Sequence, residues 1–196
     1  MSIDIKDSIG VTDNLITEQM CSEAIDYFKR KQKFEEVFDR FKSEGLSTLI
    51  KDDTACNLGS INVDQWSATL KPIFLNFFQA WTFYRSKTGI DTFYPNGYHI
   101  DIPKIQKTVP GGGYHIWHIE HNEILHMVSR VMFFIIYLND DFEAGETEFL
   151  NLKRRVKPKT GRIILAPAHY PYVHRGNPPI NGTKYVITGW IHCLHK

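Results

Sequence analysis

The sequence predicts a mainly β fold of the α+β class, with N-terminal helices packed on a β-sandwich or barrel. Past Tyr94, runs rich in Ile, Val, Tyr and Phe alternate with turn clusters: PGGG at 110–113, NDDFEAGE at 139–146, KPKTG at 157–161 and NPPINGTK at 177–184. Short strands punctuated this way build sandwiches and barrels. Upstream, two segments carry helical periodicity instead. Aromatic residues make up 13% of the 196-residue chain, which suits a strand-rich core.

The first helix is expected over 17–33, where Thr17 is placed to cap and Met20, Ala24, Tyr27 and Phe28 form one apolar face. Lys and Arg gather at its C-terminal end, where they complement the helix dipole. A second helix is expected from about Val63 to Ser86, since Trp66, Leu70, Ile73, Phe77, Trp81 and Tyr84 recur every three or four residues. Between them, Ser43 to Ser60 is polar and contains Gly and Ser, with no assignable pattern. In the second half, Val131–Leu138 is apolar on both faces, as a central buried strand should be. From Lys184 the chain alternates, so that Lys184, Val186, Thr188, Trp190 and His192 share a face. No repeat or linker interrupts the chain. We expect one domain, 1–196, with 1–93 a mainly helical support region and 94–196 the β-core.

Composition excludes several classes. Lys+Arg 23 against Asp+Glu 22 leaves a net charge of +1, which removes the electrostatic case for a dedicated nucleic-acid or membrane-surface binder. Cys21, Cys56 and Cys193 cannot pair completely and show no CxxC spacing, so a reducing compartment is the simplest setting. The N-terminus MSIDIKDSIG has no hydrophobic stretch or cleavage site of a secretory signal, and no apolar run approaches a membrane span. A cytoplasmic location is therefore expected, and the sequon at Asn181 reads as a turn. The six cations within Lys153–Arg162 follow closely on Asp140, Asp141, Glu143, Glu146 and Glu148, which reads as mutually neutralising solvated turns.

Chemistry concentrates in the β-half, where most of the nine histidines fall. On a strand, His118 and Glu120 of WHIEH project from one face, roughly 6 to 7 Å apart along the chain. Two such side chains can bind one metal at adjacent positions, and His174 in YVHRGNPP is the best candidate for a third ligand. Two histidines and a carboxylate on one face leave open positions, the arrangement of non-haem Fe(II) oxygenases. His-x-Glu alone is a weak signal, because a solvated strand face satisfies it as well. A second signal is Lys184, ten residues past His174 across a Pro/Gly turn. A lysine buried in a barrel needs an anion, and a carboxylate cosubstrate that chelates the metal by its other end would supply one. Trp190 on the same face marks that face as inward.

With these residues in place, Tyr98 to His192 resembles the catalytic core of the prolyl 4-hydroxylase-like Fe(II)/2-oxoglutarate oxygenases. The resemblance runs in order through Pro110-Gly111-Gly112, His118 and Glu120, Arg130, and Tyr137-Leu138-Asn139-Asp140. It continues through Gly145-Glu146-Thr147, Lys157-Pro158-Lys159-Thr160-Gly161, His174-Arg175-Gly176, Gly182-Thr183-Lys184 and Trp190. The segment LITEQMCSEAIDYF resembles the helix that opens these domains. The resemblance implies a double-stranded β-helix, or jelly roll, with supporting N-terminal helices.

By that resemblance His118, Glu120 and His174 bind Fe(II), and Lys184 pairs with the distal carboxylate of 2-oxoglutarate. O2 is the other cosubstrate and ascorbate a further cofactor to consider. Decarboxylation to succinate and CO2 would be coupled to hydroxylation, with a prolyl or other side chain of a peptide or protein as substrate. A free amino acid or another small molecule is the alternative, as is a non-catalytic metal-binding jelly roll. Thr188, on the Lys184 face, could donate to the cosubstrate carboxylate. The sequence departs from the family at two places. Glu120 replaces the usual Asp, adding a methylene. Position 115, where members often carry a Tyr that contacts 2-oxoglutarate, is His, and Tyr114 would need a bulge to serve in its place. His115, His121 and His126 could support the site or face solvent, Arg175 could recognise substrate, and Trp117 is expected to pack inside the barrel.

Overall fold

The computed structural model describes residues 2–59, 67–124 and 127–195. Two antiparallel sheets face each other, as in a double-stranded β-helix. Among the described residues the larger sheet contains β1 (Asp4–Lys6), β2 (Ile9–Thr12), β3 (Phe38–Asp39), β5 (Thr54–Asn57), β6 (Tyr98–Ile100), β7 (Lys104–Thr108), β9 (Arg130–Tyr137), β12 (Ile163–Pro167) and β14 (Lys184–Cys193). Its order is β1-β2-β12-β9-β14-β7-β5-β3, with β6 pairing β14 beyond β7. The smaller sheet contains β4 (Lys51–Asp52), β8 (Gly113–His118), β10 (Thr147–Phe149), β11 (Arg154–Val156) and β13 (His174–Gly176), ordered β11-β10-β13-β8-β4.

The apolar strand β9 sits between β12 and β14 and is covered on both faces. Met132, Phe134 and Ile136 join the core beneath the helices, while Phe133 and Tyr137 join the core between the sheets with Phe149, Val156, Ile164 and Val186. Two-sided burial is why no polar residue interrupts this strand after Arg130.

Helix α1 (Glu18–Lys33) begins where the sequence predicts, with the Thr17 hydroxyl accepting from the Met20 amide and Ala24 and Phe28 buried. Helix α3 (Lys71–Thr88) buries Ile73, Phe74, Phe77, Trp81 and Tyr84. Its expected start near Val63, and Trp66 with it, lies outside the described residues, and 68–70 form a turn. Pro72 explains a start at Lys71, since a proline without an N–H fits only in a helix's first turn. Phe77 of α3 meets Phe134 of β9 with ring centroids 4.2 Å apart. That contact seats the helix layer on the sheet.

The N-terminal half also contributes strands that its composition does not announce. β2 extends the larger sheet against β12, β5 pairs β7, and β4 pairs β8. The unassigned stretch 43–60 thus carries β4 and β5, one in each sheet, and α2 (Arg40–Ser43) precedes it. Trp117 is half-buried, not in the barrel core: it is covered by the Arg175 guanidinium at 4.3 Å. Its strand lies near the rim, where the smaller sheet has no further layer outside it.

Replacing Phe77 by Ala should lower the unfolding free energy by about 3–5 kcal/mol, measured by urea denaturation. Metal affinity of the folded fraction should not change, because α3 lies on the far side of the larger sheet from the cavity.

Candidate metal centre

A cavity of about 800 Å³ opens between the sheets. His118, at the end of β8, and His174, at the start of β13, are directly paired across the smaller sheet. Glu120 follows β8, anchored by its amide donating to the Ala168 carbonyl at 2.9 Å. One ligand atom from each of these three residues lies within 4.8 Å of the others.

The approach to His118 depends on a glycine turn. Gly111 adopts a φ of +83°, and a Cβ on Gly112 would sit 2.6 Å from the Asp52 carbonyl oxygen. Only glycines let the chain turn here against β4. Beyond the turn, the register slips: Tyr114 pairs Gly176 and His118 pairs His174. Four steps on β8 therefore match two on β13. The ladder is irregular between these two pairs, and the Tyr114 ring stacks on His118 with centroids 3.7 Å apart and lines the cavity.

Both imidazoles are fixed by their own strands. His118 Nδ1 lies 3.1 Å from the Ile116 carbonyl and His174 Nδ1 3.0 Å from the Tyr172 carbonyl. A carbonyl only accepts, so each Nδ1 carries the proton and each Nε2 presents a lone pair. Those two Nε2 atoms lie 3.5 and 3.7 Å from Glu120 Oε1. The other carboxylate oxygen, Oε2, accepts a 2.7 Å hydrogen bond from Trp190 Nε1. Phe133 stacks on His174 at 4.2 Å from the other side.

Charge follows from this geometry. Burial raises the Glu120 carboxyl, but the neighbouring imidazoles of His118 and His174 together outweigh it and hold the group well below the usual carboxylate range. Burial pushes the His118 imidazole down, against the opposing pull of the Glu120 carboxylate. The donor set, a carboxylate oxygen and two imidazole nitrogens converging on one point, fits a divalent first-row metal. The extra methylene of Glu120 is accommodated: it lets one oxygen reach Trp190 while the other faces the histidines.

Lys184 opens β14 and is 7% exposed. Its ammonium donates to the carbonyls of Asn177 at 3.0 Å and Gly145 at 3.3 Å. No carboxylate pairs with it among the described residues. Burial lowers its pKa to about 8, against the opposing pull of Asp53 and Glu146. Gly145, at a φ of +74°, cannot take a side chain: a Cβ there would lie 2.5 Å from the Phe142 ring and 3.3 Å from Lys184 Cδ. A buried cation held only by carbonyls leaves room for an anion. Thr188, half-buried, lines the same cavity one turn of the pleat before Trp190.

Of the other candidates, His121 Nδ1 bonds the Arg130 carbonyl at 3.2 Å, and neither it nor His115 belongs to the ligand group. His126 lies outside the described residues. Arg175 lines the cavity but is held by Glu148 at 2.9 Å. Several cavity residues had no sequence signal of their own: Arg40, Lys51, Asp53 and Lys104. Tyr137 and Thr147, which the family resemblance runs through, line the cavity as a hydrogen-bonded pair 2.7 Å apart. Lys104 and Gln106 share Thr108's face of β7 by simple alternation, but that face is inward only because β7 pairs with β14. No helix of the described residues is long and apolar enough to cross a membrane.

Residues 103–192 match the family model of the 2OG-Fe(II) oxygenase superfamily. The chain is 36% identical over 70 residues to the "Putative prolyl 4-hydroxylase" of Acanthamoeba polyphaga mimivirus. That match covers 32% of this chain and 29% of the relative's length. Among solved structures, the viral collagen prolyl hydroxylase of Paramecium Bursaria Chlorella virus-1, as its 2OG complex, superposes with a TM-score of 0.70 at 16% identity, covering 95% of this chain and 96% of the other. A Pseudomonas putida prolyl-4-hydroxylase superposes with a TM-score of 0.72 at 12% identity, covering 94% and 92%. At such identities the structures speak for the fold.

Trp190→Phe keeps the aromatic volume and removes the donor to Glu120. It should weaken Mn(II) binding by about 10–100-fold, the usual cost of losing a partner that orients a metal ligand, read by calorimetry on the folded protein.

Proposed function

We propose, from the premise that this chain belongs to the 2OG-Fe(II) oxygenase superfamily, that it is an Fe(II)- and 2-oxoglutarate-dependent hydroxylase whose substrate is a prolyl or other side chain of a peptide or protein. The observation that carries this reading is a single one: the convergence of His118, Glu120 and His174 in the same cavity as the carbonyl-held Lys184. The prolyl preference rests on the names of the relatives alone.

In this reading His118 Nε2, Glu120 Oε1 and His174 Nε2 hold the metal. Bound there, Fe(II) supplies activation of O2 coupled to oxidation of 2-oxoglutarate to succinate and CO2. The protein's own part is orientation and charge. The Nδ1 contacts to Ile116 and Tyr172 keep both Nε2 lone pairs aimed at one point. The indole of Trp190 keeps Glu120 from swinging away. Lys184 receives the distal carboxylate of 2-oxoglutarate, and its two carbonyl partners fix the ammonium beforehand, so little side-chain entropy is lost on binding. Thr188 and Tyr114 border the cosubstrate on its other sides. Phe133, Tyr137 and Val186 wall the cavity with side chains that exclude water from around the charges.

Anaerobic addition of Fe(II) and 2-oxoglutarate should give a weak visible charge-transfer band, and air should then yield succinate; absence of both would sink the oxygenase reading. The pH dependence has a definite sign. Lys184 must be charged to bind the cosubstrate and loses its proton near pH 8. kcat/KM for 2-oxoglutarate should therefore be level below pH 8 and fall about tenfold per pH unit above it. Lys184→Arg should abolish that fall, since a guanidinium stays protonated.

A further inference from the structure

The cavity holds more positive charge than the proposed reaction uses. Once Lys184 is assigned to 2-oxoglutarate and Glu120 to the metal, the remaining lining groups can be paired off. Arg40 contacts Glu44 at 3.0 Å and Asp53 at 3.3 Å, and Lys51 takes the other oxygen of Glu44 at 2.7 Å. Arg175 is held by Glu148, Asp101 lies 3.8 Å from His192, and Arg130 lies 3.7 Å from Glu120. Lys104 is left. Its ammonium lies 4.6 Å from the centre of the Trp190 ring and has no carboxylate partner among the described residues. Arg130 lies over the same indole at 4.0 Å, with its Nε lacking a hydrogen-bond partner among the described residues. Burial and the nearby Arg40 push the Lys104 pKa down to about 8, as expected of a lysine whose counter-ion is missing.

Lys104 is set apart from the carboxylate that Lys184 takes. The strands pair Lys184 with Thr108 and Lys104 with Thr188. Four residues along one face therefore separate the two lysines, about 13 Å. Lys104 lies instead at the end of the face that carries Trp190 and, through it, Glu120. At the cavity mouth, Ile102 and Ile124 are exposed apolar side chains.

We infer that Lys104 is the specificity-determining residue for substrate, and that the substrate carries a carboxylate which Lys104 receives beside the metal, with an apolar body directed toward Ile102 and Ile124. This rests on the oxygenase reading above. The carboxylate could belong to a free amino acid or to an acidic residue of a peptide, and the cation over Trp190 recognises the same chemistry in both.

The test is calorimetric titration of the protein loaded with Mn(II) and 2-oxoglutarate under anaerobic conditions. The probes are L-proline, N-acetyl-L-proline and the capped dipeptide acetyl-Pro-Glu-amide. Each is compared with its neutralised counterpart: L-prolinamide, N-acetyl-L-prolinamide and acetyl-Pro-Gln-amide. At least one acid should bind tenfold or more tightly than its amide, and which one does identifies the source of the carboxylate. Lys104→Gln should erase that preference while leaving 2-oxoglutarate affinity within twofold; Lys104→Arg should retain it. Equal binding of acids and amides, no binding of any acid, or a Lys104→Gln defect confined to 2-oxoglutarate would each overturn the inference. Failure of the wild-type protein to bind 2-oxoglutarate at all is a distinct result, and it would overturn the proposed function and this inference together.

Discussion

The antiparallel ladder between β9 and β14 runs from Val186↔Tyr137 to His192↔Arg130, and each of its faces has a task. One face carries Phe134, Ile136, Ile187 and Ile191 into the core beneath the helices. The other carries Phe133, Tyr137, Val186 and Trp190 into the space between the sheets. Gly189, opposite Phe134, has no side chain, and a Cβ there would lie 2.7 Å from the Phe134 ring. The helices hold the sheet flat against them, and the other face is thereby presented as one rigid wall of the cavity. Because side chains alternate strictly along a strand, Lys184, Thr188 and Trp190 cannot be inward without Tyr185, Ile187 and Ile191 being outward. Packing of the helix layer and construction of the site are two sides of one register.

The candidate metal ligands come from the opposite wall. His118, Glu120 and His174 belong to the smaller sheet and its continuation, whereas Trp190, which restrains Glu120, and Lys184 belong to the larger one. The Trp190–Glu120 hydrogen bond spans the gap between the walls, as does the one between Tyr137 and Thr147. Around it the cavity collects cations: Arg40 and Lys51 meet Glu44 and Asp53, which follow α2 and β4, and Arg175 meets Glu148 of β10. An interior with this much charge is costly to desolvate, and it is tolerable because nearly every charged group has a partner or a carbonyl within reach.

Much of this was legible in the sequence, and the parts that were not share a cause. Helix α1, strand β9 and the face of β14 are local patterns, readable from spacing and from what each residue can bury. His118, Glu120, His174 and Lys184 could be singled out because their chemistry and their separations are unusual together. The start of α3 was misjudged because apolar periodicity runs across Pro72, whose missing N–H ends the argument that periodicity makes. Lys104 and Lys51 were invisible for a different reason: each looks like a surface cation until strand pairing turns it inward, and Arg40, at the start of α2, is buried beside them. Pairing of β4 with β8 and β5 with β7 is non-local, and nothing in a polar stretch such as 43–60 encodes which edge it will join. Trp117 was expected inside the barrel on strand parity alone, but its side of the smaller sheet has no layer to pack against, so Arg175 covers it instead.

Each imidazole leans on a carbonyl two residues earlier in its own chain, Ile116 for His118 and Tyr172 for His174. Ring orientation is therefore written into two three-residue segments and asks nothing of the wider protein. What remains to be specified at long range is one translation, the alignment of β8 with β13 that brings His118 opposite His174. A centre built this way is modular: the strands can be lengthened, the loops exchanged and the outer layers rebuilt while the two segments still meet, and one indole on the facing wall suffices to complete the carboxylate's position.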